Sequence, residues 1–212
     1  MSDQPPSAHR VPSSAATFGM WLFLAALFML FASSLLGYVF IRLAARKNAQ
    51  FPAGAIHLPT LLWLSTAAVI GVSVALSRGM RVFRGARQRA YRDALTAALA
   101  LAVGFITVQA PALINLLIAN SELRKSAAAV SATQPDRPAP AGTALYALIF
   151  FLVLVHALHV VGGIAGLLRL TVRAHRGTYD PSDVRPVKHV AMYWHFLDAV
   201  WLAMFLTFLV LR

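Results

Sequence analysis

Apolar residues gather into five long stretches, at about 17–42, 59–78, 93–119, 143–169 and 190–211. A bilayer core asks for roughly 20 apolar residues in helical form, and each stretch is long enough. The pattern predicts an all-α, polytopic membrane helix bundle with five transmembrane helices in one domain, 17–212. Residues 1–16 are polar and rich in Pro and Ser, and read as a disordered cytoplasmic tail. The connections are short except over 120–142. There Gln134-Pro135-Asp136-Arg137-Pro138-Ala139-Pro140 reads as an irregular external loop. No internal repeat, soluble domain or signal peptide is expected, because no short apolar core is followed by a cleavage site.

Composition sharpens this picture. The chain is 59% hydrophobic and 12% charged, with a mean hydropathy of +0.68. A soluble domain carries about twice that share of charge. With no cysteine, disulfides, thiolate metal sites and iron–sulfur clusters are excluded. The net charge of +12 does not indicate nucleic acid, because the basic residues flank apolar runs instead of forming one polar face. They set orientation and meet anionic headgroups. Twelve lie on one side: Arg10, the run Arg78, Arg81, Arg84, Arg87, Arg89 and Arg92, then Arg169, Arg173, Arg176, Arg185 and Lys188. Seven lie on the other: Arg42, Arg46, Lys47, Arg124, Lys125, Arg137 and Arg212. The N-terminus is therefore expected in the cytoplasm and the C-terminus outside.

Chemistry concentrates in the last two stretches. Asp198 is the acid that lies well inside an apolar run; Asp3, Asp93, Glu122, Asp136, Asp180 and Asp183 sit in loops or at edges. A carboxylate in lipid costs about 2.5–3.5 kcal/mol even on lenient scales, so it needs a partner. His156 and His159 share a face of the fourth helix, and His195 shares the face of Asp198 on the fifth. At about 1.5 Å per residue, His159 and Asp198 lie within roughly one turn of the same depth. Asp198 is therefore expected to meet His159 or His156 across the interface of helices four and five. Two roles stand open for the cluster: a clasp between helices, or proton handling and polar-headgroup binding. Haem or metal is not expected, because His156 and His159 share one helix and no thiolate or further carboxylate lies nearby. Gly162 and Gly166 form a small-residue face on helix four, as Ser33 and Gly37 do on helix one, and predict close helix approach. Gln109 is a mid-span amide followed by Pro111, which frees a backbone carbonyl. Trp21, Trp63, Trp194 and Trp201 are candidate interfacial anchors.

At these residues the chain resembles subunit III of the haem–copper oxidases, the cytochrome c and quinol oxidases of respiratory membranes. Tyr193-Trp194-His195-Phe196-Leu197-Asp198-Ala199-Val200-Trp201-Leu202 resembles that family's final-helix signature, Y-W-H-F-V-D-V-V-W-L. His156-Ala157-Leu158-His159-Val160 resembles H-G-L-H-V, and Gly19-Met20-Trp21-Leu22-Phe23-Leu24-Ala25 resembles the start of G-M-W-L-F-L-A-S-E. Gln109 matches a family glutamine, and the order and spacing of all four fit from 17 to 212. The resemblance implies the family's five-helix form and an accessory role. Such a subunit carries no haem, copper or active site of its own. It packs on subunit I, which holds haem and copper, and beside subunit II. It binds phospholipid and supports proton uptake and translocation during aerobic electron transport, here in a bacterial inner membrane. Two family glutamates are absent, their places taken by Leu27 and Ala112. That departure points to an alternative, the related small subunit found with nitric oxide reductases. A b-type cytochrome electron carrier and a small transporter are the readings from other classes. The transporter lacks support in paired inverted repeats or broken helices.

Overall fold

A computed structural model describes residues 13–47, 61–84, 88–133, 141–177 and 184–211. It is all-helical: α1 (Ser13–Lys47), α2 (Leu61–Arg84), α3 (Gln88–Thr133), α4 (Ala141–His175) and α5 (Arg185–Val210). All five helices are long and apolar enough to cross a membrane. Serine and threonine hydroxyls within them return to carbonyls one turn back, as Ser34 does to Leu30 at 2.8 Å and Thr171 to Leu167 at 2.8 Å. These hydroxyls are thus satisfied within their own helix, without water.

The helices outrun the apolar stretches. α1 begins at Ser13, so 13–16 belong to a helix and not to a tail; Ala15 and Ala16 are strong helix formers. Residues 1–12 lie outside the described residues. α3 continues through Pro111 to Thr133, which makes 120–133 helical where an irregular loop is expected. The segment Ser126-Ala127-Ala128-Ala129 has high helix propensity. Lys125 Nζ also bonds Glu122 Oε1 at 2.9 Å, one turn apart. With 46 residues, α3 spans roughly 70 Å, about twice a hydrocarbon core, so part of it projects beyond the bilayer. The proline-rich 134–140 lies outside the described residues. α4 ends where Gly177 takes φ +68°, a left-handed conformation suited to glycine at a helix C-terminus. Pro186 stands in the first turn of α5, where a missing N–H costs nothing.

α5 and α4 form the centre. α5 touches α1, α2 and α4, and α4 touches α1, α3 and α5. α2 pairs with α3, while α1 and α2, consecutive in the chain, are not neighbours among the described residues. The core accordingly splits in two. Leu76, Leu95, Phe105, Val160, Leu167 and Trp194 belong to one cluster, built by α2–α5. Phe31, Tyr38, Leu145, Leu152, Val200 and Met204 form the other, built by α1, α4 and α5. At the far end Arg42 is fully buried, and its Nε donates to the Leu211 carbonyl at 2.7 Å. That bond ties the end of α1 to the end of α5.

Candidate functional site: the polar groups around the last helix

α5 meets its three neighbours with different side chains of one short sequence. Successive residues turn by about 100°, so Tyr193-Trp194-His195 cannot all face one partner. Tyr193 and Trp194 face α4. The Tyr193 hydroxyl donates to the His159 carbonyl at 2.9 Å, and Trp194 Nε1 donates to the Gly163 carbonyl at 3.3 Å. His195 and Asp198 face α2 instead, and both reach Ser73. Trp201 stands between: its Nε1 donates to Thr66 Oγ1 of α2 at 3.2 Å, while its ring stacks on His156 of α4 with centroids 5.4 Å apart.

The expected contact of Asp198 with His159 or His156 is not formed. Asp198, 6% exposed, accepts a hydrogen bond from Ser73 Oγ. Depth was matched, but direction was not: Asp198 lies past Trp194 and Leu197 toward α2, and the Trp201 indole occupies the place beside His156. His159 turns back on its own helix, and its Nδ1 donates to the Val155 carbonyl at 2.7 Å. His156, 2% exposed, is enclosed by Phe31, Phe105 and Trp201. The predicted cluster therefore divides into a polar trio on α2 and α5 and an aromatic nest around His156.

The trio has a defined hydrogen-bond order. His195 Nδ1 lies 2.8 Å from Ser73 Oγ. A hydroxyl carries one proton. Since Ser73 donates to Asp198, His195 Nδ1 must donate to Ser73. The chain runs from imidazole to hydroxyl to carboxylate. These are the residue types of a hydrolytic triad in the wrong order, because a triad puts the imidazole between acid and nucleophile. What the arrangement does offer is a satisfied carboxylate inside an apolar bundle. Ser73 and Asp198 also line a cleft of about 360 Å³ shared with Ser77, Arg78 and Arg81, so the trio adjoins two members of the arginine run.

Ser73, Thr66 and Arg42 were not singled out from sequence. A serine or threonine in an apolar run has many equivalent uses, and no spacing rule marks Ser73 as the partner of an acid 125 residues later. The small-residue face also shifts. Gly162 is exposed, and a Cβ there would first meet the Tyr193 hydroxyl at 3.8 Å; at Gly166 it would meet Val190 at 3.8 Å. The tight position is Gly163, where a Cβ would come within 3.1 and 3.2 Å of the Trp194 ring and 3.2 Å of the Tyr193 ring. Gln109 lies on α3. It is half-buried and lines a pocket between α3 and α4. Leu27 is buried and Ala112 half-buried, so neither place of the missing glutamates carries a charge.

Comparison with known proteins finds partial matches. The chain is 38% identical over 61 residues to a protein of Mycobacterium tuberculosis named "probable cytochrome c oxidase subunit 3", covering 28% of this chain and 30% of that one. It is 30% identical over 66 residues to "cytochrome c oxidase subunit 3" of Corynebacterium diphtheriae, covering 31% and 32%. It is 32% identical over 73 residues to the protein of that name from the liverwort Marchantia polymorpha, covering 34% and 28%. The chain thus spans about a third of the length of the curated relatives it matches. No family model matches it.

Proposed function

We propose that this chain is a non-catalytic accessory subunit III of a respiratory haem–copper terminal oxidase. The observation that carries the reading is the similarity to proteins named cytochrome c oxidase subunit 3 from bacteria and a plant. The geometry supports it in kind. The hydrogen bonds of α5 are spent on holding α2 and α4, which suits a scaffold. On this reading the chain packs against subunit I, and subunit II, in a bacterial inner membrane, with its N-terminus in the cytoplasm. Haem, copper and dioxygen chemistry belong to the partner. The arginine run meets anionic phospholipid at the cytoplasmic face. The acid at Asp198, one wall of the arginine-lined cleft, is the group through which the chain would support proton uptake.

A nitric oxide reductase partner is the second reading, favoured by Leu27 and Ala112 in place of the family's glutamates. One experiment decides between them. The tagged chain is drawn from its native membrane in mild detergent, and its companions are identified by mass spectrometry. An oxidase subunit I confirms the first reading, a nitric oxide reductase subunit the second. A chain recovered alone and monodisperse defeats both.

A further inference from the structure

The outward side of α5 is a valley. α1 and α2 each pack on α5 but do not touch one another among the described residues. Between them α5 presents Ala199 and Ala203, one turn apart and both exposed. A groove of about 250 Å³ borders this floor on the α1 side, walled by Phe28, Ala32 and Leu35. The cleft of about 360 Å³ borders it on the α2 side, with Asp198 and Leu202 in its wall. Alanines on the floor let a further helix come close.

An apolar valley suits lipid as well as protein, so the polar wall decides. Ser73 satisfies one oxygen of Asp198, Oδ2. The other, Oδ1, has no hydrogen-bond partner among the described residues, and it is not one of the sealed atoms, as the ring nitrogens of His156 are. It belongs to a side chain that lines the cleft. Ile70 and Val74, also in the wall, are 47% and 49% exposed, so the cleft opens sideways into hydrocarbon. Asp198 lies ten residues beyond Lys188, or about 15 Å, half the thickness of a hydrocarbon core. Lipid head groups stay at the interface, and an acyl chain carries no donor. What can bring a donor to an acid at that depth is a side chain on another helix. The far end of the cleft makes a second demand. Arg81 stands eight residues, or about 12 Å, along α2 from Ser73. Neither it nor Arg78 has an ion-pair partner among the described residues.

We propose that the valley between α1 and α2 seats a transmembrane helix of a partner chain. That helix carries a hydrogen-bond donor level with Asp198 and an acid about two turns away, level with Arg78 and Arg81. The inference deepens the accessory-subunit reading, since it rests on a companion chain being present and names the face that meets it.

The test is photocross-linking in the native membrane, with a benzophenone side chain placed at Phe28, on the valley wall, or at Leu206, the next turn of its floor. Both are exposed. Each is expected to give an adduct with one transmembrane peptide of another chain that bears the donor and, two turns on, the acid. A benzophenone at Leu158, exposed on α4, should not reach that peptide. Ala203→Leu, which fills the floor, should lower the yield at least tenfold while the chain accumulates normally. Asp198→Asn, its carbonyl held by Ser73, turns an amide N–H toward the donor and should lower the yield about tenfold, the loss of one hydrogen bond to a charged group. Arg81→Glu should lower it too, and reversing the charge of the matching acid on the partner should restore it. Adducts with lipid only, with a second copy of this chain, or with a helix lacking the donor or the acid overturn the inference. So does a yield that survives Ala203→Leu, or a charge reversal that fails to restore it. The two readings fail separately. A co-purifying oxidase subunit I without valley adducts defeats the docking face alone, while valley adducts with a matching helix from an unrelated protein defeat the oxidase reading alone.

Discussion

The two sides of α5 hold their neighbours by different means. Toward α2 the contact is side chain to side chain: His195 to Ser73 to Asp198, and Trp201 to Thr66. Toward α4 it is side chain to backbone: Tyr193 and Trp194 donate to the carbonyls of His159 and Gly163, and a glycine lets the indole come close. The first needs particular polar partners on both helices. The second needs aromatic donors on one helix and only an absence of bulk on the other. The α4 side should therefore fail through steric substitutions and the α2 side through polar ones.

Gly163→Leu should have the largest effect. Its first added carbon already crowds the Trp194 and Tyr193 rings at 3.1–3.2 Å, so the rest of the side chain must displace the indole and break its bond to the Gly163 carbonyl. Overpacking of this kind costs about 1–3 kcal/mol and occasionally more, and here the upper end is expected. Gly162→Leu, one residue away, meets its first atom at 3.8 Å and should cost less than about 1 kcal/mol. Denaturation titrations of the two variants in detergent check the order. Equal losses would mean that the whole glycine face, and not one position, is the contact.

That pair also shows what the sequence reveals and what it conceals. Five helices were legible from apolar run lengths, and the need of Asp198 for a polar partner from one acid out of place. Pairing was not. Depth along two helices follows from counting residues, so His159 and Asp198 were correctly matched in height. Azimuth depends on which neighbour α5 turns each face toward, and α5 has three neighbours. Glycine spacing had the same weakness: Gly162 and Gly166 fit the small-x-x-x-small pattern, but the closest approach falls on Gly163 between them. Helix ends were missed where alanine and an ion pair extend α3 into water-facing sequence without any apolar signal.

The α2 side should break at Asp198. Asp198→Leu removes the acceptor of Ser73 and strands a hydroxyl and an imidazole at partly buried positions, for about 1–3 kcal/mol. Asp198→Asn keeps a carbonyl oxygen for Ser73 and should cost less than about 1 kcal/mol. The same titration separates the two. If Asn proves as damaging as Leu, the charge itself matters, and the hydrogen-bond account of this contact fails. If Asn is fully stable but the assembled complex takes up protons more slowly, Asp198 serves proton handling as well as packing.

The finest test asks whether the two sides are independent. Tyr193→Phe removes one hydroxyl bond to the His159 carbonyl, and Ser73→Ala removes one hydroxyl from the trio. Each should cost about 0.5–1.5 kcal/mol. The two residues share no hydrogen-bond partner, so their losses should add within about 0.5 kcal/mol in the double variant. A larger deviation would require a route across α5. Trp201 is the physical candidate, since it bonds Thr66 of α2 and stacks on His156 of α4 at once. Repeating the cycle with Trp201→Phe, which deletes the bond to Thr66 and keeps an aromatic ring beside His156, should then restore additivity. If it does not, the coupling travels through the α5 backbone, and the two contacts are halves of one rigid clasp.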